Sequence, residues 1–92
     1  MATGIATIDF AGNSQRAVTT VSGQAALASN SHVEAWLMGD STAEHNAYEH
    51  EMAAFMVRFV CDNIIAGSSF DIVAVSLEYR LTGTFAVHWV WV

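Results

Sequence analysis

Residues 80–92 read R-L-T-G-T-F-A-V-H-W-V-W-V. From Thr84 onward the composition is β-branched and aromatic, and side chains along a strand alternate between two faces. One face then carries Phe85, Val87, Trp89 and Trp91, and the other Thr84, Ala86, His88, Val90 and Val92. A strand at the surface of a sheet is polar on one side. This one is apolar on one side and nearly so on the other. The reading therefore predicts a strand covered twice, by its own core on one face and by a second surface on the other. The expected contact with another subunit or partner is Phe85, Val87, His88, Trp89, Val90, Trp91 and Val92.

Working outward, the same alternation predicts strands over residues 4–10, 16–28, 32–38, 50–61 and 70–78. In the first, Ile8 and Phe10 point inward, and Thr7 and Asp9 outward. Gly23 marks a bend or bulge within the second. In the third, Val33, Ala35 and Leu37 oppose Glu34, Trp36 and Met38. In the fourth, Ala53, Phe55, Val57, Phe59 and Cys61 form an apolar face, with a helix as the competing reading because Met-Ala-Ala-Phe-Met favours one. Asp62-Asn63 is a turn or bulge. Glu34, Met52, Arg58, Asp71 and Ser76 mark outward positions. Residues 39–49 (G-D-S-T-A-E-H-N-A-Y-E) form one long polar loop, in which Ser41 and Glu44 have the spacing of a capping box. Six or seven short strands around one such loop predict an all-β fold. The expected architecture is an antiparallel sandwich or small barrel, built as a single domain over residues 1–92.

Composition narrows the function classes. The chain is 53% hydrophobic and only 13% charged, against about 25% charged in an ordinary soluble domain. So little charge on 92 residues favours association that covers apolar surface. Net charge is −6 with no lysine, and Arg16, Arg58 and Arg80 are the only basic side chains besides histidine. Phosphate neutralisation dominates nucleic-acid affinity, so this balance opposes binding to DNA, RNA or an anionic membrane. Cys61 is the single cysteine and reads as a small apolar side chain with a raised thiol pKa. Residues 1–10 lack the basic and long apolar regions of a signal peptide, so synthesis in a cytoplasm and use as a soluble or assembled protein are expected.

No catalytic motif is present. Glu44, His45, Glu49, His50 and Glu51 are the one cluster of titratable groups, and histidine with carboxylate suits zinc. Their spacing matches no metal motif, because His50-Glu51 lacks a second histidine three residues on. A solvated acidic loop is the preferred reading, with no metal or cofactor expected. A small metal-dependent enzyme using His45 and His50 is the lesser alternative. Trp36, Trp89 and Trp91 raise sugar stacking. Trp89 and Trp91 share their face with Phe85 and Val87, which marks core or interface, and Trp36 is the better candidate for exposure.

Three stretches are distinctive as strings: M-A-T-G-I-A-T-I-D-F at 1–10, V-E-A-W-L-M-G-D-S-T-A-E-H-N-A-Y-E-H at 33–50, and G-T-F-A-V-H-W-V-W-V at 83–92. In these the chain resembles small structural proteins of tailed bacteriophages and prophages of Gram-negative bacteria. The resemblance runs over most of the chain and carries no site chemistry. It implies a non-enzymatic virion component, of the head decoration or cement type, made in the host cytoplasm. Expected partners are further copies of itself and virion proteins such as the major capsid protein. The alternative within the virion is a tail, baseplate or fibre module that contacts a receptor or glycan through Trp36, Asp40, Glu44, His45 and Tyr48.

Overall fold

The computed structural model describes all residues, Met1–Val92. It contains β1 (Ala2–Asp9), β2 (Arg16–Val21), β3 (Val33–Leu37), α1 (Ala47–Ala54), β4 (Val57–Ile65), β5 (Ser69–Ser76) and β6 (Thr84–Trp91). The strands form two three-stranded antiparallel sheets, ordered β1-β6-β3 and β2-β5-β4. The fold is thus all-β and consistent with a small sandwich. The central strands are β5 and β6, which carry the most continuous apolar runs.

The inner face of β6 is the one that alternation predicts. Phe85, Val87, Trp89 and Trp91 are buried, and opposite them Phe70, Ile72 and Ala74 of β5 are fully enclosed. Phe70 meets Trp89 edge-on, with ring centroids 5.4 Å apart. Ile8 of β1, Phe10 just after it, and Ala17 and Val21 of β2 join the same core, with Leu27, Ala53 and Val57. The Trp91 indole N–H donates to Gln24 Oε1 at 2.9 Å, so its polar edge is satisfied at the rim. Gly4 pairs with Trp89, and a Cβ there would lie 2.5 Å from the indole. The glycine makes room for the largest inward side chain of the neighbouring strand.

Several boundaries differ from the sequence expectation. The second strand ends at Val21 rather than residue 28, because Gly23 at φ 75° turns the chain. Leu27 then folds back into the core. The largest difference lies at residues 50–61. Residues 50–54 belong to α1, and the strand runs from Val57 to Ile65. Asn46 caps the helix in a capping box with Glu49, displacing the expected Ser41–Glu44 pair. Ala47, Glu49, Glu51, Met52, Ala53 and Ala54 all have strong helix propensity, and with the cap they prevail over the period-2 pattern. Phe55, expected inward, is the helix C-cap residue and is 85% exposed. Ser76, expected outward, is buried, because it shares parity with Ile72 and Ala74 rather than with Asp71. Met52, also expected outward on a strand, is exposed on the helix instead. A register shift between Asp62 and Ile65, with Asn63 at φ 49°, is the bulge that Asp62-Asn63 suggests.

Candidate functional site

The site begins where β3 is too short. β3 pairs with β6 from Val33↔Trp91 to Leu37↔Val87, and His32 and Val92 extend the ladder by two mutual hydrogen bonds. Beyond Leu37 the chain turns away, while β6 continues back to Thr84. Its backbone groups on that side would be unpaired, which is costly where water is excluded. Side chains from residues 42–50 replace the missing strand. Thr42 Oγ1 donates to the Thr84 carbonyl at 2.8 Å. Glu44 Oε1 accepts from the Thr84 N–H at 2.9 Å and from its hydroxyl. The Ala86 N–H donates to His50 Nε2 at 3.0 Å. The expected polar loop is therefore a fixed edge of the sheet.

His50 is the keystone of that edge and the most buried polar side chain, at 0% exposed. Its Nδ1–H donates to the Asn46 carbonyl at 3.0 Å. A carbonyl only accepts, so Nδ1 carries the proton and Nε2 is free to receive Ala86. Both ring nitrogens are used within the fold. His45 lies flat on Phe85, with centroids 4.2 Å apart and planes 12° from parallel. Its Nε2–H donates to the Thr82 carbonyl, and Nδ1 stands 3.5 Å from Glu49 Oε2. Hydrogen bonds from Thr84 hold the Glu44 carboxyl below its ordinary range, and the Asn46 backbone N–H does the same for Glu49. Gly83, at φ 70°, leaves room for Glu44, because a Cβ on residue 83 would lie 3.0 Å from the Glu44 Cβ.

Of the titratable cluster of the sequence, Glu44, His45, Glu49 and His50 are thus hydrogen-bonded within the fold, and Glu51 is exposed. No three His, Cys, Asp or Glu side chains converge as a metal-holding group. Tyr48 is exposed and lines a surface hollow of about 260 Å³ with His45, Glu49, Met52, Met56, Leu81 and Phe85. A second hollow of about 250 Å³ lies between Leu37, Met38, Glu51 and Phe55. The Cys61 thiol is pushed up to about 11, first by burial and then by Asp62 and Glu34.

The outward face of the β1-β6-β3 sheet holds the remaining expected contacts. Of the interface set, Phe85, Val87, Trp89 and Trp91 are taken up by the chain's own core. Ala86, His88 and Val90 are half-buried outward, and Val92 is exposed. Register places Ile5, His88 and Trp36 in one row across the three strands, with Thr3, Val90 and Glu34 in the next. Trp36 stacks on His88 at 6.1 Å and 22°, and His88 Nε2 is hydrogen-bonded to Asp40. Ile5 is 62% exposed and Trp36 38%. Sequence reasoning missed Ile5, which alternation alone could have placed beside His88 once the pairing was known.

Compared with protein-family models, with curated proteins and with solved structures, the chain matches none. No helix is long and apolar enough to cross a membrane.

Proposed function

We propose that the chain is a structural virion protein of the capsid decoration or cement kind, binding through the outward face of its β1-β6-β3 sheet. The observation that carries this reading is the Ile5–His88–Trp36 row, an apolar and aromatic stripe across an exposed sheet. Aromatic residues are enriched in protein interfaces, and a central aromatic anchored by neighbours is the usual form of a contact hot spot. The His88–Asp40 hydrogen bond and the Trp36–His88 stack hold that row in place before binding, which lowers the entropy lost on contact. The phage resemblance of residues 1–10, 33–50 and 83–92 supports the virion context and does not point to a particular face. Many copies on one particle would multiply a modest contact through avidity.

The test is cosedimentation of the purified chain with heads of the phage or prophage that encodes it. Saturable binding that is lost in Trp36→Glu supports the reading; absence of binding by the unaltered chain overturns it. A tail or fibre module that contacts a glycan is the second reading. It is favoured by one feature, an exposed indole flanked by the Asp40 and Glu34 carboxylates, a combination suited to stacking and hydrogen bonding with a sugar ring. Binding of Trp36-dependent glycans without binding to heads would select it.

A further inference from the structure

The opposite sheet presents an outward face that the sequence does not single out. Register across β2, β5 and β4 sorts it into three rows. Arg16, Val75 and Arg58 form the first, Val18, Val73 and Val60 the second, and Thr20, Asp71 and Asp62 the third. One end is therefore cationic, the middle is a valine stripe and the other end is anionic. Val18 is 43% exposed, Val60 56% and Val75 37%. Two of the chain's three arginines lie here, and none of the three comes within 4.0 Å of a carboxylate. Asp62 and Asp71 stand directly opposite each other, a like-charge pair that weakens a sheet. Asp71 receives hydrogen bonds from Thr20 and Asn63, but no cation faces either carboxylate.

We infer that this face binds the same face of a second copy of the chain, in a two-fold dimer whose axis crosses the strands at the valine row. That operation reverses strand direction while keeping β2 over β2 and β4 over β4. Arg58 then meets the partner's Asp62, Arg16 reaches the partner's Asp71 beside Thr20, and the valine stripes stack. A two-fold axis along the strands would instead oppose arginine to arginine, so the charge pattern selects one arrangement. An isologous contact of this kind closes on itself and leaves the Trp36 face free. Three strands about 4.8 Å apart, over rows about 7 Å apart, make a patch smaller than a standard interface. The dimer is accordingly weak, concentration-dependent and sensitive to salt. The inference does not depend on the virion reading.

Sedimentation equilibrium of the full chain over a concentration series, at about 0.05 M and about 0.5 M salt, measures it. The unaltered chain is expected to dimerise, more weakly at the higher salt. Arg58→Asp and Asp62→Arg, each alone, should weaken the dimer about tenfold or more by opposing like charges. The two changes combined in one chain should restore it, and so should mixing the two single variants, which pair only with each other. All these positions are exposed, and unchanged circular dichroism verifies the fold of each variant. A chain monomeric at every concentration, a dimer indifferent to the single charge reversals, or a double variant no better than the singles would overturn the inference. So would a dimer that Trp36→Glu dissolves instead.

Discussion

At the scale of single residues, His50 shows how a side chain can act as a piece of strand. Its Nε2 receives the Ala86 N–H while Nδ1–H holds Asn46, so one imidazole ties the helix start to the first part of β6. His50→Leu keeps most of the volume but leaves the Ala86 N–H without an acceptor. The expected loss of stability in urea unfolding is about 1–3 kcal/mol, the cost of an unsatisfied buried donor. His50→Ala adds a cavity and should cost more. Glu44 gives the pH dependence. Its folded pKa lies below the unfolded value of 4.5, because the hydroxyl and backbone N–H of Thr84 bond the ionised carboxylate. Glu49 is shifted the same way. A lowered carboxylate stabilises the fold above the unfolded pKa and loses that contribution as pH falls through the folded one. The thermal unfolding midpoint should therefore drop as pH is lowered from about 5, and Glu44→Gln should flatten that slope. At Cys61 the thiol titrates near 11, so alkylation at pH 8 should be slow in the folded chain and fast in denaturant.

At the scale of elements, legibility followed the strength of the local pattern. β6, β5 and β1 were readable because their alternation persists over 8 residues each and their inward side chains are large. Ile8, Phe10, Phe85 and Trp89 all face where the pattern puts them. Helix α1 was misread because His50-Glu51-Met52-Ala53-Ala54 satisfies both periods, and the deciding signal lay upstream in Asn46 and Glu49. The edge role of Thr42, Glu44 and His50 could not be read at all. It exists only because β3 stops at Leu37 while β6 continues, a fact of pairing rather than of composition. β6 is the middle strand of its sheet and supplies four core side chains. Deleting residues 84–92 should accordingly abolish folding, seen as loss of the far-ultraviolet strand signal and of a cooperative urea transition, before any question of assembly arises. Gly4→Val should be destabilising for a related reason, since its Cβ would stand 2.5 Å from the Trp89 ring. A lowered melting temperature is the expected result.

At the scale of the whole molecule, two exposed sheet faces remain after the core is closed, and they differ in chemistry. One carries valines between unlike charges, and it is the face we infer pairs with a second copy. The other carries Ile5, Trp36, His88 and Val90, and it is the face we propose meets the virion. The closing strand was expected to be covered by its own core on one face and by a partner on the other, with contact residues drawn from both. Its aromatic face is instead the monomer's core, and the outward half together with Trp36 makes the contact we propose. Low charge, at 13% of residues, is consistent with a chain that hides surface by assembly. The central claim is that the Ile5–His88–Trp36 face binds the virion. It is tested most directly by measuring, in one cosedimentation titration with purified heads, the bound copies of the unaltered chain and of Trp36→Glu. The account predicts saturable binding by the former and its loss in the latter at an unchanged melting temperature. Failure of the unaltered chain to bind, or undiminished binding by Trp36→Glu, would contradict it.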